Sequence, residues 1–320
     1  MKIQVLTRHI WLLGAALSFV AGTAVQAQTA GLHRLQIDSP QALKQFFRYS
    51  PDRVPFVSAH RGGARKGYPE NCLATFENTL RHTPAMMEVD PRYTKDSVIV
   101  LLHDPTLDRT TNGKGKVADF TWAQLQQLQL KDSEGNLTDY KIPTLDEALV
   151  WARGKTILIL DKKDVPLAVR VQKIQEHKAE AYALVMAYNF NEARQCYGLS
   201  KDIMMEVFVP SQAKLAEYEQ TGVPWENSVV FIAHAKAQDK ALYGLLHQKG
   251  VMCIIGSSRI YDQEFTLGKT GVYADIINEG ADIIEADLAI EAGQGIRALV
   301  PQKSSKDKFF IKAGTRKKRL

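Results

Sequence analysis

The sequence predicts one α/β domain built as a closed (β/α)8 barrel. Short apolar runs alternate with helix-like stretches along the chain. Eight of these strand–helix units fill roughly 250 residues, which is the usual size of such a barrel. The chain has 320 residues, of which 45% are apolar and 24% are charged. That composition is ordinary for a globular protein and excludes disordered, collagen-like and coiled-coil chains.

Nine apolar runs bounded by turn residues are the candidate strands, at 54–59, 85–90, 98–102, 156–161, 182–187, 203–208, 228–232, 251–255 and 282–286. Helix-like stretches lie between most of them, which favours parallel strands joined by helical crossovers. Only seven residues separate the second run from the third, too few for such a helix. We therefore expect a hairpin-like excursion after the second strand, turning near Lys95 and Asp96 and placing His103 opposite Glu88. When the third run is assigned to the return strand of this hairpin, eight candidate barrel strands remain.

The first 27 residues predict a signal peptide. Lys2 and Arg8 give a basic start, the stretch from Ile10 to Val25 carries no charge, and Ala27 is the small residue that precedes a cleavage site. We expect an exported bacterial protein, periplasmic or secreted, with an uncleaved N-terminal anchor as the alternative. No other stretch could interact with a bilayer, which excludes a multispan membrane protein.

Two further segments flank the barrel, which we place at residues 54–300. Residues 28–53 predict a capping segment with a helix near 41–47, and residues 301–320 a basic C-terminal tail. The tail carries a charge of +7, whereas residues 28–300 sum to −3. Such a body lacks the positive field that nucleic acids require, so no nucleic-acid partner is expected. We interpret the tail as a solvated end, with weak contact to an anionic membrane or a partner-binding arm as alternatives.

The three cysteines outside the leader are Cys72, Cys196 and Cys253. Their spacing matches no zinc site, because structural zinc needs close pairs of soft ligands. Cys253 lies in an apolar run and is expected to be a small buried hydrophobic residue. We expect no disulfide.

Polar residues follow or end four of the predicted strands: His60 and Arg61, Glu88 and Asp90, His103 and Asp104, and Asp161 with Lys163. In a barrel of parallel strands, the carboxyl ends of the strands converge on one mouth, where active sites are built. A single histidine at a strand end is usually an ordinary loop residue. The presence of such polar residues at four strand ends instead predicts one functional site.

The residue types in this set suit phosphodiester cleavage. The three carboxylates are hard oxygen ligands for Ca²⁺ or Mg²⁺, and Glu88 and Asp90 lie on the same face of a strand. Arginine and lysine supply positive charge for a phosphate, which arginine can bind in a bidentate manner. Two histidines titrate near neutrality and can act as a general acid and base.

Ordered motifs in this region resemble the glycerophosphodiester phosphodiesterase family. They are Ser58-Ala-His-Arg-Gly-Gly63, Tyr68-Pro-Glu-Asn71, Met87-Glu-Val-Asp90, His103-Asp-Pro-Thr-Leu-Asp-Arg-Thr-Thr111, Ile142-Pro-Thr-Leu145, Leu160-Asp-Lys-Lys163 and Gly280-Ala-Asp-Ile-Ile-Glu-Ala-Asp287. The similarity is dense over residues 54–163 and diffuse over 164–290. It implies a distorted (β/α)8 barrel that hydrolyses glycerophosphodiesters, small molecules of lipid and glycerol metabolism, to glycerol 3-phosphate and an alcohol.

The resemblance also implies a role for each matched residue and one bound divalent cation, Ca²⁺ or Mg²⁺. The roles are acid and base for His60 and His103, phosphate binding for Arg61 and Lys163, metal ligation for Glu88, Asp90 and Asp161, and support for Glu70 and Asn71. The chain departs from the family at Asp161, where a glutamate is usual, and at Cys72, where many members have threonine. Its last strand ends in Glu285-Ala286-Asp287 instead of the usual Thr-Asp.

Two other functions fit the same residues. One is a lysophospholipase D-like or phospholipase C-like enzyme that acts on lipids, for which an apolar rim around the mouth is expected. The other is a catalytically silent barrel that binds phosphorylated ligands. Against the silent barrel, both histidines, the arginine and all three carboxylates are retained.

Overall fold

The protein was analysed as a computed structural model that describes residues 31–237 and 239–311. The predicted signal peptide, residues 1–27, and residues 312–320 of the predicted tail lie outside the described residues. The strands are β1 (Arg34–Leu35), β2 (Phe56–Ala59), β3 (Ala85–Val89), β4 (Pro91–Tyr93), β5 (Ile99–Leu101), β6 (Leu158–Leu160), β7 (Ala183–Ala187), β8 (Met204–Phe208), β9 (Ser228–Ala233), β10 (Cys253–Gly256), β11 (Ile283–Ala286) and β12 (Phe310–Ile311).

Eight of these strands close into a barrel in the order β2-β3-β6-β7-β8-β9-β10-β11, and β11 returns to β2. Every pair in the barrel is parallel, and each strand overlaps one of the predicted apolar runs. The predicted (β/α)8 barrel is therefore confirmed.

The helices pack between and around these strands: α1 (Pro40–Phe47), α2 (Leu73–His82), α3 (Trp122–Leu125), α4 (Leu145–Ala152), α5 (Leu167–Glu176), α6 (Phe190–Leu199), α7 (Gln212–Glu219), α8 (Ala241–Gln248), α9 (Tyr261–Thr266), α10 (Val272–Asn278) and α11 (Ala289–Gly295). Several begin at a side-chain cap, because a serine, threonine or asparagine oxygen accepts a hydrogen bond from an otherwise unpaired amide of the first turn. Thr144 forms a capping box with Glu147 at the start of α4, and Asn189 caps α6. Among the described residues, we find no helix with the length and hydropathy needed to cross a membrane.

The excursion after the second barrel strand is present, but its predicted register is wrong. β4 and β5 form a separate antiparallel sheet in which Tyr93 pairs with Ile99. The turn contains three residues because the amide of Thr94 donates to the carbonyl of Val98, and Ser97 takes a left-handed conformation with a φ of 62°. A two-residue turn, which the prediction assumed, would shift the pairing by one position. His103 therefore does not lie opposite Glu88.

The two ends of the described chain close the amino-terminal end of the barrel. β1 pairs with β12, and Phe46 of α1 packs against Phe56 and Phe309, with ring centroids 5.1 and 5.5 Å away. Lys306 is buried and donates to the backbone carbonyl of Arg48 at 2.6 Å. The interpretation of the tail as a solvated end is thus wrong for residues 306–311, where Lys306 and Phe309 are buried and β12 pairs with β1.

The three cysteines are buried and free, and the predicted burial of Cys253 is confirmed. Cys72 is the residue before the first turn of α2, and its side chain packs in a small cluster with the segment that follows β5. That cluster is formed by Val100, Leu102, Leu107, Val117, Leu125, Leu130 and Ile142. It anchors the long connection between β5 and α4, which carries His103 beside the mouth of the barrel.

The turn after β2 depends on glycine at position 62. Gly62 has a φ of 85°, and an added Cβ would lie 2.2 Å from the Phe76 ring of α2. We expect Gly62→Ala to lower the free energy of unfolding by about 3 kcal/mol through strain and overpacking, measured by urea denaturation. Gly154→Ala is the matched control, since Gly154 has a φ of 69° with open space around it and should cost only about 1 kcal/mol. Equal losses in the two variants would contradict the packing argument.

Candidate active site

The first side chains of the site lie in a tight turn at the end of β2. His60, Arg61 and Gly62 form one turn of 3-10 helix, in which Arg61 has a φ of 52°. This conformation directs the Arg61 amide at Glu88, whose Oε2 accepts its hydrogen bond at 2.8 Å. Of the five non-glycine residues with positive φ in the described chain, three are predicted site residues: Arg61, Asn71 and Lys163. Backbone strain of this kind concentrates at functional sites.

Three carboxylates meet at the ends of β3 and β6. Oxygen atoms of Glu88, Asp90 and Asp161 lie within 4.8 Å of one another, and all three residues are buried. Burial and the charges of Asp90 and Asp161 raise the pKa of Glu88 well above its ordinary range. Three negative charges so close together are unfavourable unless a cation joins them. The oxygen-only donor set suits Ca²⁺ or Mg²⁺, so the predicted ligands fit a hard divalent ion.

Other side chains fix the orientation of these carboxylates. Asn71 donates to Asp90 Oδ2 at 2.6 Å and accepts from the Asp90 amide at 3.0 Å. Lys163 Nζ lies 2.9 Å from Asp90 Oδ1 and also contacts Asp161. Lys163 therefore bridges two of the three carboxylates.

Each predicted acid–base histidine has an acidic partner. His60 Nδ1 lies 2.5 Å from Asp287 Oδ1, and His103 Nδ1 lies 2.9 Å from Asp104 Oδ1. Burial alone would lower the pKa of His60, but the hydrogen bond to Asp287 and the charge of Glu285 outweigh it, so the pKa lies above the ordinary 6.5. A carboxylate on Nδ1 orients each ring and leaves Nε2 for proton transfer.

Glu70 lies at the centre of a set of ionic hydrogen bonds. Its carboxylate accepts two hydrogen bonds from Arg109, both at 2.8 Å, and one from Arg61 at 3.3 Å. Arg109 also donates twice to Asp104, at 2.7 and 2.8 Å. One chain of charged contacts thus runs from the second histidine through Asp104, Arg109 and Glu70 to Arg61.

The comparison with known proteins agrees with this geometry. Residues 60–262 match the model of the Glycerophosphoryl diester phosphodiesterase family. The chain belongs to this family. A crystal structure of a glycerophosphoryl diester phosphodiesterase from Parabacteroides distasonis is 46% identical, with a TM-score of 0.84, and the alignment covers 88% of this chain and 99% of that one.

Curated members of the glycerophosphoryl diester phosphodiesterase family are similar over shorter stretches. A glycerophosphodiester phosphodiesterase from Caldanaerobacter subterraneus is 33% identical over 146 residues, which are 43% of this chain and 60% of that protein. Glycerophosphodiester phosphodiesterase 1 from Bos taurus is 41% identical over 111 residues, 34% of this chain and 33% of that protein. The chain therefore spans less than two thirds of the length of either relative.

Asp161 is the departure from the family pattern that most affects the metal ligands. Because its side chain is one methylene shorter than glutamate, the carboxylate depends on neighbours to hold its position. Tyr188 donates its hydroxyl to Asp161, and the amide of Lys162 donates to Oδ1 at 2.6 Å. The Tyr188 ring stacks on Phe208 at a centroid distance of 5.0 Å, which fixes the hydroxyl.

The sequence motifs gave no role to Asp104, Arg109 and Glu206, and they marked Glu285 and Asp287 only as part of the altered last strand. Asp104 and Arg109 lie inside a recognised motif, and Asp287 directly follows the last barrel strand, so these positions carried a signal. Glu206 lies in the interior of β8, where an isolated charged residue in an apolar run was the available signal.

The partnership of His60 with Asp287 can be measured directly. NMR titration of the histidine should give His60 a pKa above 6.5, and Asp287→Asn should lower it, because the substitution removes the negative charge that favours the protonated ring. Asp104→Asn is the control, since Asp104 contacts the other histidine and should leave the His60 pKa in place. If the pKa of His60 is the same in wild type and Asp287→Asn, the pairing is wrong.

Proposed function

We propose that this chain hydrolyses glycerophosphodiesters to glycerol 3-phosphate and an alcohol with the help of one divalent cation, Ca²⁺ or Mg²⁺. The observation that carries the proposal is the meeting, at one barrel mouth, of a buried carboxylate cluster, two acid-paired histidines and two cationic side chains. Membership of the family supports the reaction class. Retention of every one of these groups argues against a catalytically silent barrel.

The substrate phosphate is bound by positive charge on one side of the mouth. Arg61 and Lys163 both lie beside Asp90, at 3.8 and 2.9 Å, so their head groups converge on the carboxylate cluster. Arg61 can bind two phosphate oxygens, and Lys163 adds a point charge. Glu88, Asp90 and Asp161 would hold the cation, which supplies further positive charge to stabilise the more negative transition state.

Proton transfer is assigned to the two histidines. A pKa raised above the ordinary value favours the protonated form of His60, which suits the general acid that donates a proton to the leaving alcohol oxygen. His103 removes the proton from the attacking hydroxyl. Attack by water gives glycerol 3-phosphate directly, whereas attack by the substrate's own 2-hydroxyl gives a cyclic phosphate that water must open in a second step to give glycerol 3-phosphate. The new phosphorus–oxygen bond forms as the bond to the leaving alcohol breaks, and proton and charge are balanced.

We also propose that the protein is exported. Support comes from the basic start, uncharged apolar run and small-residue cleavage pattern of residues 1–27. N-terminal sequencing of protein recovered from the cell envelope or medium tests this, since cleavage after Ala27 gives a mature chain that begins at Gln28.

The reaction is tested with glycerophosphocholine as substrate. Protein stripped with a chelator should release no glycerol 3-phosphate, and addition of Ca²⁺ or Mg²⁺ should restore release, because the carboxylate cluster needs its cation. The product is quantified enzymatically. If neither ion restores release, the assay is repeated with glycerophosphoinositol and with lysophospholipids. Failure with these substrates as well would reject the proposal and favour a binding barrel.

The histidine assignments predict large and separable losses. His60→Ala and His103→Ala should each lower kcat by about 10²–10⁴-fold, because each removes one proton-transfer group. His82→Ala is the control, since His82 lies on the surface at the end of α2 and bonds only to the carbonyl of Asn78. Unchanged turnover in His60→Ala would remove that residue from the acid–base pair.

A further inference from the structure

A second set of polar residues, here called the polar layer, faces the inside of the barrel in addition to the carboxylate cluster. It consists of Ser58 on β2, Glu206 on β8 and Glu285 on β11, and the register pairs Glu285 with Ser58 on adjacent strands. Side chains alternate between the two faces of a strand, so Glu206 shares the lumen face with its neighbour Met204, a member of the buried cluster that fills the barrel. The interior of such a barrel is normally packed with branched apolar residues.

The side chains of this layer have polar atoms that no described residue satisfies. Both carboxylate oxygens of Glu206, Oε2 of Glu285 and the Ser58 hydroxyl have no hydrogen-bond partner. Glu206 and Ser58 are completely buried, and Glu285 is 5% exposed. Buried polar groups are almost always paired, and an unpaired buried carboxylate is among the most costly of them. The layer therefore requires a ligand that can satisfy acceptor oxygens in a closed space.

Charge points to a cation as that ligand. Together with Glu88, Asp90 and Asp161, the two glutamates bring five carboxylates into one lumen. Lys163 is the side chain that contacts two of them, while Arg61 is shared between Asp90 and Glu70. One divalent ion and Lys163 would leave an excess of two negative charges among the five, in a site that must also accept an anionic phosphodiester. A second divalent ion cancels that excess.

We propose that Glu206 and Glu285, with the Ser58 hydroxyl, bind a second hard divalent cation, Mg²⁺ or Ca²⁺, in the lumen of the barrel. The donors are all oxygen atoms, which favours these ions over transition metals that prefer nitrogen or sulfur. Because Glu206 is completely buried, a small ion suits this position better than a substrate group. The second ion would offset the negative charge that otherwise opposes substrate binding, and in this respect the inference rests on the proposed function.

The direct test is a count of bound ions. Full-length chain, stripped with a chelator, is equilibrated with Mg²⁺ or Ca²⁺, and the bound ion is measured by equilibrium dialysis and elemental analysis. We expect two ions per wild-type chain, one per Glu206→Gln chain and one per Glu88→Gln chain, because glutamine keeps the shape and removes the charge. Glu217→Gln, a surface substitution beside Lys214, is the control and should retain two ions.

The outcomes separate the two proposals. Equal ion counts in wild type and Glu206→Gln would overturn the luminal site and would mean that the glutamates are neutral or solvated by buried water. Equal counts in wild type and Glu88→Gln would instead reject the cation of the proposed function and leave the luminal site standing. If Glu206→Gln does not fold, as judged by its melting transition, Glu285→Gln gives the same readout from the other ligand. Under chelation, both variants should melt no lower than wild type, because each loses an unpaired buried charge.

Discussion

Mutual repulsion among buried carboxylates is the constraint on which this structure depends. Glu88, Asp90 and Asp161 are held within 4.8 Å of one another by a rigid parallel sheet, where water cannot screen their charges. The surrounding contacts offset that repulsion. Asn71 holds Asp90 by its carboxylate and by its backbone amide, Lys163 bridges two carboxylates, and the amide of Arg61 donates to the third. The site is thus assembled before substrate arrives, and the strain of three left-handed residues is retained to keep it so.

The two histidines of the site are held in place by different parts of the chain. His60 lies at the end of a barrel strand and its partner Asp287 follows the last strand, so that this pair closes the seam between β2 and β11. His103 comes from the excursion outside the barrel, and charged contacts through Arg109 and Glu70 connect it to the barrel mouth. One histidine is therefore fixed by the sheet, and the other by a network of ionic hydrogen bonds.

Much of the fold could be predicted because parallel strands buried on both faces leave a simple pattern of short apolar runs. Residues at strand ends could be assigned to one mouth for the same reason. The register of β4 and β5 could not, because Ser97 adopts a left-handed conformation that nothing in its identity announces. The pairing of Glu70 with Arg109 could not either, since 39 residues separate them and only tertiary packing brings them together. The packing of Phe309 under the barrel could not be predicted either, because the lysines around it in the sequence indicate an exposed segment.

The position of the cap has a consequence for how the molecule meets its surroundings. β1 and β12 lie together at the end of the barrel opposite the mouth, so the chain leaves Ile311 on the face that is farthest from the carboxylate cluster. Segments from both ends of the described chain thus close the floor of the barrel, which leaves the mouth as the side from which a ligand can reach the carboxylates.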